Sequence, residues 1–291
     1  MKRILSFFAM VALLAGFAAC NTGGAGSGSG EAYTIKMRLN KGDQFNNNIK
    51  MNTEITAAVM TMKMNMAFDT KFDVLESTDT GKVLQLTYTK AEAHMDMGSI
   101  GSIGNAADSI LQNTYKKMVG KSIRMTLTPD YKISSVSGFD SLITNDMADE
   151  MSRQTVEKMF SKDQLNNTFG MYFNLYPSKP VKVGDTWESE TNMSLADINM
   201  KVKIKYKLAS VKNGVADIDV DGVIDGSGSM NKGGNSVNMN MSGTQKGTMS
   251  VNLSDGYLIN GGYKMDVKAD MEMMGQKIPM TMKADYTVSG K

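Results

Sequence analysis

The chain has 291 residues, of which 41% are hydrophobic, and 32 Lys+Arg stand against 30 Asp+Glu. That near-neutral balance gives no electrostatic steering toward nucleic acid. The single cysteine, Cys20, excludes an internal disulfide.

The first element in chain order is an export signal. Lys2 and Arg3 form a positive start, Ile4 to Leu14 is a short apolar run, and small residues lead up to Cys20. The run is too short for a spanning helix, and no second long apolar run follows it. Phe17-Ala18-Ala19-Cys20 resembles a bacterial lipobox. The resemblance implies that residues 1–19 are a lipoprotein signal peptide. It also implies that Cys20 becomes the acylated, palmitate-bearing terminus of a 272-residue mature chain. A free Cys20 behind an ordinary signal is the alternative. Residues 20–31, rich in Gly and Ser, read as a flexible lipid-proximal tether. Ten such residues reach only about 15–20 Å, which keeps the body near the bilayer. The tether carries no acidic residue before Glu31. Surface-exported lipoproteins often carry acidic residues just after the cysteine, so the resemblance to a lipoprotein implies the periplasmic face of the outer membrane as the expected location, with the membrane as a partner through Cys20.

The body reads as half-buried antiparallel strands. Met60, Met62, Met64, Met66 and Phe68 alternate with Thr61, Lys63 and Asn65. The same period runs through Met200–Leu208 and Ile278–Val288. Further strands are expected at Tyr33–Leu39, from near Phe45, and at Ala67–Leu75, Lys82–Thr89, Ile204–Val211 and Val215–Val220. Turn chemistry separates them at Asn40–Asp43, Asp79–Gly81, Asn213-Gly214, Ser254–Gly256 and Gly261-Gly262. Helical spacing appears in Ala106–Val119, Ser141–Phe160 and Lys162–Phe173. Asn231–Asn235 is expected to be a flexible loop. Two halves follow, 32–176 with helical insertions and 177–291, divided at the Tyr176-Pro-Ser-Lys-Pro180 break.

The halves repeat one plan. Gly42-Asp43-Gln44-Phe45 matches Gly184-Asp185-Thr186-Trp187, Gly81 matches Gly214, and Leu127–Tyr131 matches Leu253–Tyr257, in the same order. The expected fold is mainly β. It is a duplicated antiparallel sheet unit curled into a half-barrel, with a minor helical layer (α+β). The lipobox, the Tyr33–Phe45 opening, the Met-rich strand, Leu127–Asp130, Gly184–Trp187 and Met274–Met282 resemble an uncharacterised family of Bacteroidota lipoproteins. That resemblance implies location and architecture and carries across no catalytic residues.

Chemistry is sparse. His94 is the sole histidine, at a strand end, and no Gly-x-Ser-x-Gly elbow feeds a helix, so it reads as a sheet-face residue rather than a base. One histidine and one blocked thiol do not make a zinc cluster. Asp217, Asp219 and Asp221 alternate on a strand ahead of Asp225. A solvated face is the first reading, with cation binding or paired-carboxylate catalysis behind it. The 28 methionines are the unusual element. Met62, Met64 and Met66 fit core packing, a deformable wall for an apolar ligand, or a soft copper site, in that order. The expected wall is Met60, Met62, Met64, Met66, Met280 and Met282. No catalytic, metal or cofactor residue is assigned. The leading expectation is a non-catalytic envelope lipoprotein binding an apolar or lipid-like ligand. A structural or protein-interaction role follows, and an enzyme of unrecognised type is third.

Overall fold

The computed structural model describes residues 30–58, 60–98, 101–138, 162, 165, 175–195, 198–232, 235–273 and 276–290. Those residues form one antiparallel sheet of eleven strands. The first half supplies β1 (Gln44–Ala57), β2 (Met60–Thr78), β3 (Gly81–Asp96), β4 (Ser122–Leu127) and β5 (Ile133–Ser137). The second supplies β6 (Thr186–Leu195), β7 (Ile198–Lys212), β8 (Val215–Lys232), β9 (Asn235–Asn252), β10 (Leu258–Met273) and β11 (Gln276–Gly290). The spatial order is β5-β4-β3-β2-β1-β11-β10-β9-β8-β7-β6. Each half is thus a meander, and the two join where β1 pairs with β11. The sheet ends at β5 and β6 and does not close.

Alternation dictates the faces. Phe72, Val74, Leu84, Leu86, Ile204, Tyr206, Leu208, Ile218 and Val220 are buried on one side. Asp and Lys from neighbouring strands meet on the other, as in Lys207 opposite Asp219 and Lys201 opposite Asp225. A one-residue slip would exchange these sets, so register is firmly specified. The buried side divides into two clusters, one built mainly from β1 to β4 and one from β6 to β11. Helix α1 (Gly101–Lys116) covers part of the first cluster through Tyr115, whose ring lies 5.5 Å from that of Phe68. This is the minor helical layer.

The repeat is visible bond by bond. Gly42 and Gly184 have φ of 92° and 96°. Gly42 N–H donates to Val74 O and Gly184 N–H to Leu208 O, at 2.9 and 2.7 Å. The carboxylates of Asp43 and Asp185 accept from the amides of Asn40 and Lys182, at 2.7 and 2.8 Å. Phe45 stacks on Phe72 at 4.6 Å and Trp187 on Tyr206 at 5.6 Å, each pair directly opposite in register. A bulge follows both, at Val74/Glu76 and Leu208/Ser210.

Several local expectations are corrected. Tyr33–Leu39 is not a sheet strand: it makes one bridge, Tyr33 to Val181, and otherwise runs as an extended segment. Ile35 enters the second cluster while Met37 and Leu39 enter the first, so the segment laces the two together. Its alternation arose from insertion between two cores, which needs no ladder. Gly261 and Gly262 lie inside β10 beside a bulge rather than in a turn. Where a side chain at Gly262 would meet Tyr286 O at 2.6 Å, only glycine lets β11 approach. β8 and β9 run to Lys232 and Asn235, so strand pairing takes up most of the expected loop. The stretches Met60–Phe68 and Ala67–Leu75 fuse into β2. α1 starts earlier than the expected helix at Ala106 and ends before Val119. The signal and most of the tether, the segment Ser141–Phe160, and all of Lys162–Phe173 except Lys162 and Leu165 lie outside the described residues.

Candidate functional site

The methionines predicted as a wall come from opposite ends of the chain, and β1 brings them together. Met60 and Met62 of β2 face Ala57 and Ile55 of β1, which in turn face Met280 and Met282 of β11. Two strand spacings, about 9–10 Å, separate the two sets. Met64 and Met66 continue inward opposite Thr53 and Met51.

The register then adds residues that sequence periodicity had not grouped. One row across seven strands reads Met60, Ala57, Met280, Ala269, Met241, Gly226, Met200. Methionine alternates with a small residue at every step. The small residues leave room for the long thioethers. A side chain at Gly226 would meet Met241 Cγ at 2.7 Å and Met200 Cγ at 3.1 Å. Met is unbranched and adapts to irregular surfaces, so the row is a deformable apolar strip. Every member is at least partly accessible, and Met60 is 42% exposed. The next row in, Met62, Ile55, Met282, Val267, Gly243, Ile224 and Val202, is more deeply covered, with Val267, Ile224 and Val202 buried. Burial therefore deepens from the methionine end toward the two cores. The missed signal, small residues facing methionines, exists only across strands and needs the pairing to be seen.

The other candidates fall elsewhere. The His94 side chain is 60% exposed on β3, with Nδ1 3.9 Å from Asp108 Oδ1. Asp217, Asp219, Asp221 and Asp225 lie on the outer face of β8. Asp217 accepts hydrogen bonds from Ser210 Oγ and Ser250 Oγ at 2.7 and 2.8 Å, which hold its carboxyl below the usual carboxylate range. Asp221 Oδ2 lies 3.9 Å from Lys246 Nζ. No cluster of three or more His, Cys, Asp or Glu with metal-binding geometry occurs among the described residues. Several tyrosines, including Tyr88, Tyr176 and Tyr263, are pushed up chiefly by burial and so stay neutral.

The chain belongs to a family of unknown function (DUF6263), whose family model matches residues 79–258. No curated protein matches. Among solved structures, a lipovitellin described under "lipid-protein interactions in lipovitellin" is similar at 8% identity and a TM-score of 0.46. The similarity covers 85% of this chain and 25% of that one. The β domain of the Bordetella autotransporter BrkA is similar at 8% identity and a TM-score of 0.20, over 85% of this chain and 99% of that one. An outer membrane channel from Pseudomonas putida F1 follows at 6% identity and a TM-score of 0.21, over 88% and 97%. This chain spans about a quarter of the lipovitellin chain.

Proposed function

We propose that this is an exported, non-catalytic lipoprotein, anchored through Cys20 at the periplasmic side of the outer membrane, that holds an apolar or lipid-like molecule against the methionine end of its sheet. The observation that carries the reading is the row from Met60 to Met200, an accessible strip of methionines and small residues at the end of a face whose next row is half-buried to buried. Such a strip offers apolar contact without fixed shape, which suits chains of varied length. Covering about 300 Å2 of apolar surface contributes roughly 7 kcal/mol before the costs of binding.

Native mass spectrometry of the purified full chain, with solvent extraction of bound material, tests the proposal. Retained amphiphile, lost when Ala57 and Ala269 are both enlarged to Phe, is the expected result. No extractable cargo in the wild-type chain would leave the second reading, a structural or protein-interaction lipoprotein. Burial of Val202, Ile224 and Val267 by the protein's own side chains favours that second reading. Anchoring is tested separately. Fatty-acid labelling is expected in the wild type and absent in Cys20→Ser; equal labelling of both would refute the anchor.

A further inference from the structure

A cavity of about 120 Å3 lies at the other end of the β1–β11 seam, walled by Met37, Phe45, Tyr257 and Leu258 and reaching Asn47 and Gly290. Asn47 and Ala57 are ten residues apart on β1, so this cavity is about 33 Å from the methionine row. It is a separate site and does not depend on the function proposed above.

Its walls are aromatic and rigid. The Phe45 ring is stacked 4.6 Å from Phe72 and lies 4.9 Å from Tyr257. Tyr257 is pinned by its hydroxyl, which donates to Asp43 Oδ2 at 3.0 Å, and by its amide, which donates to Asp255 Oδ1 at 2.8 Å. The Asp43 carboxylate belongs to the repeated turn, so the cavity is built into the fold.

Asn47 is the anomaly. It is 7% exposed, and its side-chain amide has no hydrogen-bond partner among the described residues. Its backbone is held in the sheet between Thr70 and Gly290, and its carbonyl also accepts from Thr70 Oγ1 at 3.4 Å. A buried amide without a partner is costly, and a native sequence normally satisfies it. Gly290, its register partner on β11, keeps the space beside it open. A side chain there would stand 3.1 Å from Asn47 Oδ1 and would collide with Leu258 O.

We propose that this cavity binds a single six-membered ring bearing one uncharged hydrogen-bonding group, with the ring against Phe45 and Tyr257 and the polar group on the Asn47 amide. The volume is close to that of an apolar protein cavity of about 150 Å3 that accepts benzene. Asp255, one of the residues that line the cavity, disfavours anions. A phenol-sized molecule therefore fits in size, polarity and charge.

The test uses the full chain and three probes, phenol, toluene and benzoate, followed by the Met37 methyl resonance. Phenol is expected to shift it saturably, toluene to bind more weakly, and benzoate not to bind. Asn47→Leu keeps the size of the side chain and removes the amide. It is expected to weaken phenol about tenfold, the loss of one hydrogen bond, and to leave toluene unchanged. Gly290→Ala is expected to abolish binding of both. Absence of a saturable phenol shift in the wild type, or equal affinity for phenol and toluene there, overturns the proposal. So does an Asn47→Leu chain that loses both ligands alike while its circular dichroism is unchanged. If Asn47→Leu fails to fold, the wild-type order of the three probes decides alone.

Discussion

Asp217 sits on the outer face of β8 between two serine hydroxyls, and its carboxylate is stabilised in the charged form. Because its folded pKa lies below the ordinary 3.8, the stabilisation is present above that value and is lost as pH falls through the folded pKa. Asp217→Asn is therefore expected to lower stability at neutral pH and to match the wild type in strong acid. Urea unfolding at pH 7 and near pH 2 measures the difference; a gap that persists in acid would refute the assignment. Asn47 behaves in the opposite sense. In the absence of ligand, Asn47→Leu removes a buried amide that has no hydrogen-bond partner among the described residues. The same denaturant experiment is expected to show a gain of about 1–3 kcal/mol.

At the scale of elements, the two Gly-Asp turns make the same bonds with the same backbone, Gly42 at φ 92° and Gly184 at 96°. Nothing would crowd an added Cβ at either position, so the cost of alanine there is conformational alone. Gly42→Ala and Gly184→Ala are each expected to cost about 1–2 kcal/mol. Unequal costs, read from urea midpoints, would mean that the turns are not energetic equivalents. The strand glycines differ from one another. At Gly243 an added Cβ would stand 2.6 Å from Asp266 O, which is backbone held in a ladder. At Gly226 it would meet Cγ and Sδ of Met241 and Cγ of Met200, which belong to flexible side chains rather than to backbone. Gly243→Ala is expected to cost about 1–3 kcal/mol and Gly226→Ala less than about 1 kcal/mol. Thermal unfolding of the two variants checks the order. Pro279 is tolerated for a related reason. β11 pairs with β1 only as far as Met280, so Pro279 lies one residue past the end of that ladder.

The whole molecule is two meanders sharing one seam. β1 is paired with β2 over its length and with β11 from Asn47 to Ala57. The Tyr33–Leu39 segment then ties both clusters together by burying Ile35 in one and Met37 and Leu39 in the other. Tyr131 Oη donates to Met37 O at 2.8 Å, and Arg38 N–H donates to Asp255 O at 2.7 Å, one tie to each half. Unfolding is expected to be one cooperative transition, with calorimetric and van't Hoff enthalpies equal. Two resolved transitions would show that the halves are energetically independent.

The sequence by itself determined strand period, the turns at Asn40–Asp43, Asp79–Gly81, Asn213-Gly214 and Ser254–Gly256, and the repeat, because these are local. Met60 to Phe68 alternates whatever it pairs with, and the Gly-Asp turns carry their own φ requirement and Asp acceptor. It also placed Met60, Met62, Met64, Met66, Met280 and Met282 on apolar strand faces. Only the tertiary structure decided which strands are neighbours. Hydrogen-bonded pairing between β1 and β11 joins residues more than 220 positions apart, and no periodicity encodes that choice. The consequences are the alternation of methionine with Ala57, Ala269 and Gly226, the seam cavity beside Asn47, and the conversion of Tyr33–Leu39 from an apparent strand to a lace between cores. Each depends on what lies across from a residue, which is fixed by burial and register over the whole sheet.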